Sequence, residues 1–237
     1  MRIHYSTHRI TVSTIIIMIS LMFAGMADLA RAADPKYGGT LRFVGEVDAF
    51  GFDALKARAL VGPGRVVGNL VMEKLFNRGK SGELIPVLGL SATSSEDGKV
   101  WTIKLRKGVT FHDGTPFNAD AVVNHWQRLL NPENRFRGLL FLRPIVSVEK
   151  RGDDEVQFLL KYAWLPFDTF LTSPSGFTAL IPSPKAVRDG VHNRAPVGTG
   201  PFIFKEWKPG DRMVVTKNPD YWQKGKPYLD EVVCRPI

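Results

Sequence analysis

His112 and Asp113, followed by Gly114, form the adjacent pair that comes nearest to a catalytic dyad. Adjacent residues generally point apart, and the glycine after them marks a turn. A working dyad also needs an orienting third group and a nucleophile within reach. Gly198-Thr199-Gly200 invites comparison with a phosphate loop, but it lacks the Gly-Lys-Ser/Thr that cradles phosphates and holds magnesium, and Pro201 follows it. Beyond residue 32, the metal-ligand inventory is His112, His125, His192 and Cys234, with none of the close spacing of a ligand set. There is no Gly-x-Ser-x-Gly elbow, and the single cysteine lacks a partner histidine motif. The expectation is a chain with no catalytic residues, no metal site and no cofactor.

The elements around these residues follow from periodicity. Gly38-Gly39 leads into Thr40 to Val47, where Leu41, Phe43 and Gly45 alternate with Arg42, Val44 and Glu46, as in a strand. Residues 48 to 64 are rich in Gly and Ala, and Gly62-Pro63-Gly64 reads as a stop to regular structure. From Arg65, the spacing of Val66, Val67, Leu70, Val71 and Leu75 predicts a helix ending near residues 77 to 79. Ser81-Gly82 and Asp97-Gly98 predict turns, with Trp101, Ile103 and Leu105 alternating against Thr102, Lys104 and Arg106. Asn118 reads as the N-cap of a helix that buries Val122, Val123, Trp126, Leu129 and Leu130 before Asn131-Pro132 ends it. Then come a hairpin over 145 to 160, helical turns near 167 to 171 and 180 to 187, and three closing strands with a basic link, 218 to 227, among them. This order suits an α/β or mixed α+β protein.

Composition sets the compartment and the class. At 237 residues with 44% hydrophobic content, the chain is long enough to bury a sizeable core. Arg2 and Arg9 precede an uncharged run from Ile10 to Ala27, and Ala30-Arg31-Ala32 offers small residues where a signal peptidase reads. The expectation is export with cleavage after Ala32, leaving 29 basic and 22 acidic residues and a net charge of +7. Those cations are interleaved with acids, as in Lys205-Glu206-Trp207-Lys208, so nucleic-acid binding is not expected. Cys234 has no partner for an intrachain disulfide, and the apolar Val232-Val233 before it predict a buried, inert thiol.

Five blocks, in order, carry a resemblance: GGTLRF at 38–43, VMEKLF at 71–76, the stretch from GELIPV to NADAVV at 82–123, VGTGPFIFKEWKPGD at 197–211 and NPDYWQKGKPYLDEVVCRPI at 218–237. Together the sequence resembles the family 5 extracellular solute-binding proteins, which carry peptides, nickel chelates and related solutes. The resemblance implies a periplasmic binding protein type II-like first lobe, residues 33–64 with 178–237, and an inserted smaller domain, residues 65–177. FHDG, GTGPF and NPDYW would set turns and pack aromatics. Family members continue for about as long again, so a missing second lobe is implied. The family's leucine-aspartate-proline segment here reads Phe52-Asp53-Ala54.

The implied function is substrate binding for an ABC importer: a periplasmic monomer captures a peptide or small solute and delivers it to the inner-membrane permease, with no bond broken. The alternative is a truncated lobe that does not transport and has a structural or partner-interaction role. By position in the family, the loop after the first strand lines the cleft. That makes Val61, Gly62 and Arg65 the first candidate ligand contacts, with Phe136 as a side wall and Thr199 after it.

Overall fold

The computed structural model describes residues 35–57, 62–172 and 178–237. The expected leader, residues 1–32, and the candidate Val61 lie outside them. Two hydrophobic clusters form within residues Tyr37–Ile237, each built on its own sheet.

The first sheet has the order β1-β10-β9-β8, from strands β1 (Thr40–Gly45), β8 (Phe202–Lys208), β9 (Arg212–Lys217) and β10 (Glu231–Pro236). β1 lies parallel to β10 and the other pairs are antiparallel, so chain start and chain end are joined in one mixed sheet. β1 has a single neighbour, which leaves Leu41 and Val44 exposed despite the alternation. Helix α1 (Gly62–Val71) covers one face of this sheet and buries Val67 and Val71 with Met72, Met213, Val215, Val232 and Cys234. Cys234 is fully buried, and burial pushes its thiol up to about 11.

The helix read from the sequence as starting at Arg65 and running to 77–79 is corrected at both ends. It begins at Gly62, because proline in a first turn gives up only an N–H that has no helical partner there. It stops at Val71 because Glu73 is drawn into a bridge with Ile181, whose N–H donates to the Glu73 carbonyl at 3.0 Å. Phe76–Arg78 is then strand β2, paired with β3 (Leu84–Pro86).

The second sheet, β4-β5-β7-β6, is antiparallel throughout: β4 (Gly89–Ser94), β5 (Val100–Leu105), β6 (Ile145–Lys150) and β7 (Glu155–Leu160). Trp101, Ile103 and Leu105 all point into the core, as their alternation requires. Helix α2 (Ala119–Leu130) packs on β6 and β7, and the Asn118 side chain accepts from Ala121 N–H at 3.1 Å. Val122, Trp126 and Leu129 are buried on its inner face, His125 joins them, and Val123 and Leu130 are half-buried. Trp126 meets the Phe158 ring edge-on at 5.2 Å. Three short helices complete the described chain: α3 (Leu139–Leu142), α4 (Phe167–Leu171) and α5 (Pro184–Arg188).

Candidate functional site

The loop after β1 is held at both ends. Asp48 accepts from Trp207 Nε1 at 3.0 Å and from Gly210 N–H at 2.8 Å, which fixes the loop to the β8–β9 turn. Phe52 is buried in the first core, where its ring meets Trp207 and Phe204 edge-on. Asp53, 3% exposed, pairs with Arg128 of α2 at 2.7 Å. Burial alone would raise the Asp53 carboxyl, but the Arg128 guanidinium and the Leu55 N–H together hold it below the usual range.

Gly62 and Arg65 come together at the start of α1, beside this loop. Gly62 has φ +45°, and a Cβ there would lie 3.1 Å from Val47 Cγ2; one at Gly64 would lie 3.0 Å from Ala49 Cβ. The loop therefore rests on the first helical turn, and bare backbone permits the approach. Around it, Val47, Phe50 and Val66 are exposed apolar side chains, and Arg65 is an exposed cation with no carboxylate in ion-pairing range among the described residues. Half-buried Lys74 lies near enough for the Arg65 charge to lower its pKa further after burial, so an apolar floor beside positive charge suits a carboxylate-bearing solute.

The other candidates lie elsewhere. Phe136 belongs to the core of the second sheet at 9% exposure; Leu140 and Phe141, just after it, are exposed. Thr199 is 1% exposed and its hydroxyl donates to Glu73 Oε2 at 2.9 Å.

That carboxylate is the centre of the molecule's polar interior. Besides Thr199 it accepts from Tyr221 OH at 2.7 Å and Trp222 Nε1 at 2.8 Å. Burial raises the Glu73 pKa, and the three donors and the nearby Arg106 charge oppose the rise. Tyr221 is pushed up in turn, by burial first and then by the adjacent carboxylate. Next to this junction, His112 N–H donates to the Gly198 carbonyl at 2.9 Å and its Nε2 lies 2.9 Å from the Gly200 carbonyl. Asp113 instead accepts from Thr115 and from Ser183 Oγ. The two adjacent side chains thus serve different partners, as their positions in a turn require. Among the described residues, no three His, Cys, Asp or Glu side chains converge as a metal site would need.

The comparisons with known proteins agree with this architecture. Residues 83–237 match the family described as "Bacterial extracellular solute-binding proteins, family 5 Middle". The chain belongs to this family. The glutathione-binding protein GsiB of Pectobacterium atrosepticum is 36% identical over 178 residues, which cover 73% of this chain and 34% of GsiB. The nickel-binding periplasmic protein of Escherichia coli K12 is 35% identical over 170 residues, 71% of this chain and 32% of that protein. The chain thus spans about a third of the length of these curated relatives. Among solved structures, the periplasmic binding protein DppA of Helicobacter pylori, bound to the peptide STSA, superposes with a TM-score of 0.74 at 29% identity, covering 85% of this chain and 43% of DppA.

Within this family 5 chain the recurrent blocks meet one another. VMEKLF supplies Glu73, GTGPF supplies Thr199, NPDYW supplies Tyr221 and Trp222, and FHDG closes on Gly198, Gly200 and Ser183. The reading that these blocks set turns and pack aromatics therefore describes their geometry. Sequence reasoning did not single out Glu73, nor Arg128 as the partner of Asp53. A charged residue inside an apolar block, VMEKLF, was the available signal for Glu73.

Proposed function

We propose that this chain is part of the substrate-binding component of an ABC importer, capturing a peptide or related small solute in the periplasm for an inner-membrane permease. The observation that carries the reading is the family match over residues 83–237, together with a fold shared with a peptide-bound periplasmic protein. Relatives named for glutathione and nickel binding support a small, polar or chelated solute. In this reading the leader is cleaved after Ala32, the protein acts as a monomer, and no bond is broken during capture.

In this proposal the first lobe comprises residues 33 to about 72 with 178–237, and the insert follows α1. Because α1 packs on the first sheet, we place the boundary near Glu73 instead of at residue 65. The ligand lies against the 47–50 loop and the first turn of α1, with Gly62 giving close backbone access and Arg65 meeting a carboxylate. Binding free energy then shifts an open–closed equilibrium of the whole receptor.

Calorimetric titration of the purified chain with glutathione, a pooled peptide mixture and nickel–histidine tests this. Saturable heat at micromolar ligand, weakened about tenfold or more by Arg65→Gln with unfolding unchanged, is the expected result. A folded chain silent to all three would overturn ligand capture by this chain and favour a partner-interaction role.

A further inference from the structure

A concavity of about 490 Å³ opens between the segment leaving β5 and the 218–226 link. It shares no lining residue with the loop and first turn of α1. Its charged lining consists of Arg106, Lys107, Lys224 and Lys226 against a single acid, Asp220. Thr110 adds an exposed hydroxyl.

Arg106 is held ready. Its Nε donates to the Val87 carbonyl at 2.7 Å, and its guanidinium carbon lies 4.2 Å from the centre of the Trp222 ring. Among the described residues, its terminal amines meet no protein acceptor: the nearby Glu73 carboxylate is already engaged by Thr199, Tyr221 and Trp222. An arginine fixed by one bond and one aromatic face loses little further rotamer freedom when it binds, and its planar fork matches an oxyanion. Lys224 has no ion-pair partner among the described residues, Lys226 reaches only the Gln223 amide at 3.0 Å, and Lys107 pairs with Asp154 at its exposed tip. With Lys107 offset by Asp154, Arg106, Lys224 and Lys226 face the single acid Asp220, an excess of two charges that suits a dianion better than a lone carboxylate.

We propose that this concavity binds a tetrahedral, doubly charged oxyanion, a phosphate group either free or terminal on a larger molecule. Arg106 provides the fork, and Lys224 and Lys226 close over it from the link. The site is independent of solute capture at α1, so failure of peptide binding leaves it untouched.

The test is calorimetry of the purified chain with inorganic phosphate and pyrophosphate at low ionic strength, where surface charge is least screened. Saturable one-to-one binding is expected. It should weaken about tenfold in the Lys224→Gln/Lys226→Gln double variant, whose side chains are exposed and leave the fold intact, and in Arg106→Gln. Lys104→Gln, an equally exposed cation on β5, should bind as the parent does. Co-sedimentation with phosphatidic acid vesicles, which present a terminal phosphate monoester, but not phosphatidylcholine ones, lost in the double variant, would identify the source as a lipid headgroup. Binding of free phosphate without vesicle retention would identify a soluble ligand. No saturable heat with either ion, or equal losses in Lys104→Gln and the double variant, overturns the proposal.

Discussion

At the scale of single residues, Glu73 determines whether three converging donors are satisfied, those of buried Thr199 and Tyr221 and of half-buried Trp222. The hydroxyl of Thr199, the hydroxyl of Tyr221 and the indole of Trp222 all converge on its two oxygens. A buried donor left without an acceptor costs about 1–3 kcal/mol, more than a typical bond contributes when made. Glu73→Ala strands all three, so we expect a loss of at least about 3 kcal/mol in urea unfolding. Glu73→Gln keeps one carbonyl oxygen and should cost less, about 1–2 kcal/mol. Tyr221→Phe removes a donor together with its need for an acceptor and should cost about 1 kcal/mol. If Glu73→Ala unfolds at the same urea concentration as the parent, the carboxylate is not the organising group.

At the scale of elements, α2, which packs on the second sheet, acts as a clamp on the β1–α1 loop of the first core. Arg128, near its C-terminal end, holds Asp53 of the β1–α1 loop, and His125, one turn earlier, is fully buried with its Nε2 3.0 Å from the Thr178 carbonyl. His192 packs beside the same ion pair. Arg128→Met leaves Asp53 buried without its cation, a change expected to cost about 3–5 kcal/mol. Burial depresses both histidines to about 4, with the Arg128 charge adding to the effect and Asp53 opposing it. Their folded values lie below the ordinary 6.5, so on acidification the unfolded chain takes up protons first. The stability linked to neutral histidine is therefore present above about pH 6.5 and drains as pH falls toward 4. Each histidine should remove about 2 kcal/mol between pH 7 and pH 5. Glu73, whose pKa is raised, works in the opposite direction in the acid range and reduces the net slope. Denaturation curves across this window should flatten in His192→Gln; an unchanged slope would mean that this imidazole does not titrate with unfolding.

What the sequence disclosed depends on how far apart the interacting residues lie. The alternation in β5, the Asn118 cap and the 145–160 hairpin are local rules, obeyed within a few residues, and all are present. The Arg128–Asp53 bond spans 75 residues, and Glu73 reaches Thr199 and Tyr221 across 126 and 148. No periodicity reports contacts of that kind. α1 was read as too long because Leu75 fits a helical spacing while its actual burial comes from the other core. A hydroxyl in a glycine-rich loop looks the same in sequence whether it faces a solute or a buried carboxylate, so the Thr199–Glu73 bond is not legible there. Gly62 and Arg65 entered as candidates through the family resemblance alone, since Gly62-Pro63-Gly64 reads in sequence as a stop and not as the helical turn it forms.

At the scale of the whole molecule, the two cores are joined where backbone meets backbone. A Cβ on Gly198 would lie 2.2 Å from the Val71 carbonyl oxygen, and one on Gly200 would lie 2.5 Å from that of Leu70. No rotamer relieves such a clash, because the obstructing atoms belong to the end of α1 itself. Gly200 N–H also donates to the Val71 carbonyl at 2.9 Å, and Asn218 Nδ2 donates to the Gly200 carbonyl at 3.1 Å. This seam links α1, on the first sheet, to the turn at His112 that leads toward α2. Gly198→Ala must therefore push α1 away from the GTGPF turn, at an expected cost of at least about 3 kcal/mol, in the upper range for a single substitution. A distinctive consequence appears in hydrogen exchange. In the parent chain, amides of β4–β7 and β8–β10 should open with one common free energy, since the seam couples the two cores. In Gly198→Ala they should separate, with β4–β7 retaining protection that the first sheet loses. Two distinct opening energies in the parent would show instead that the sheets are independent, and the interlocking blocks would then be local turns without a joint structural role.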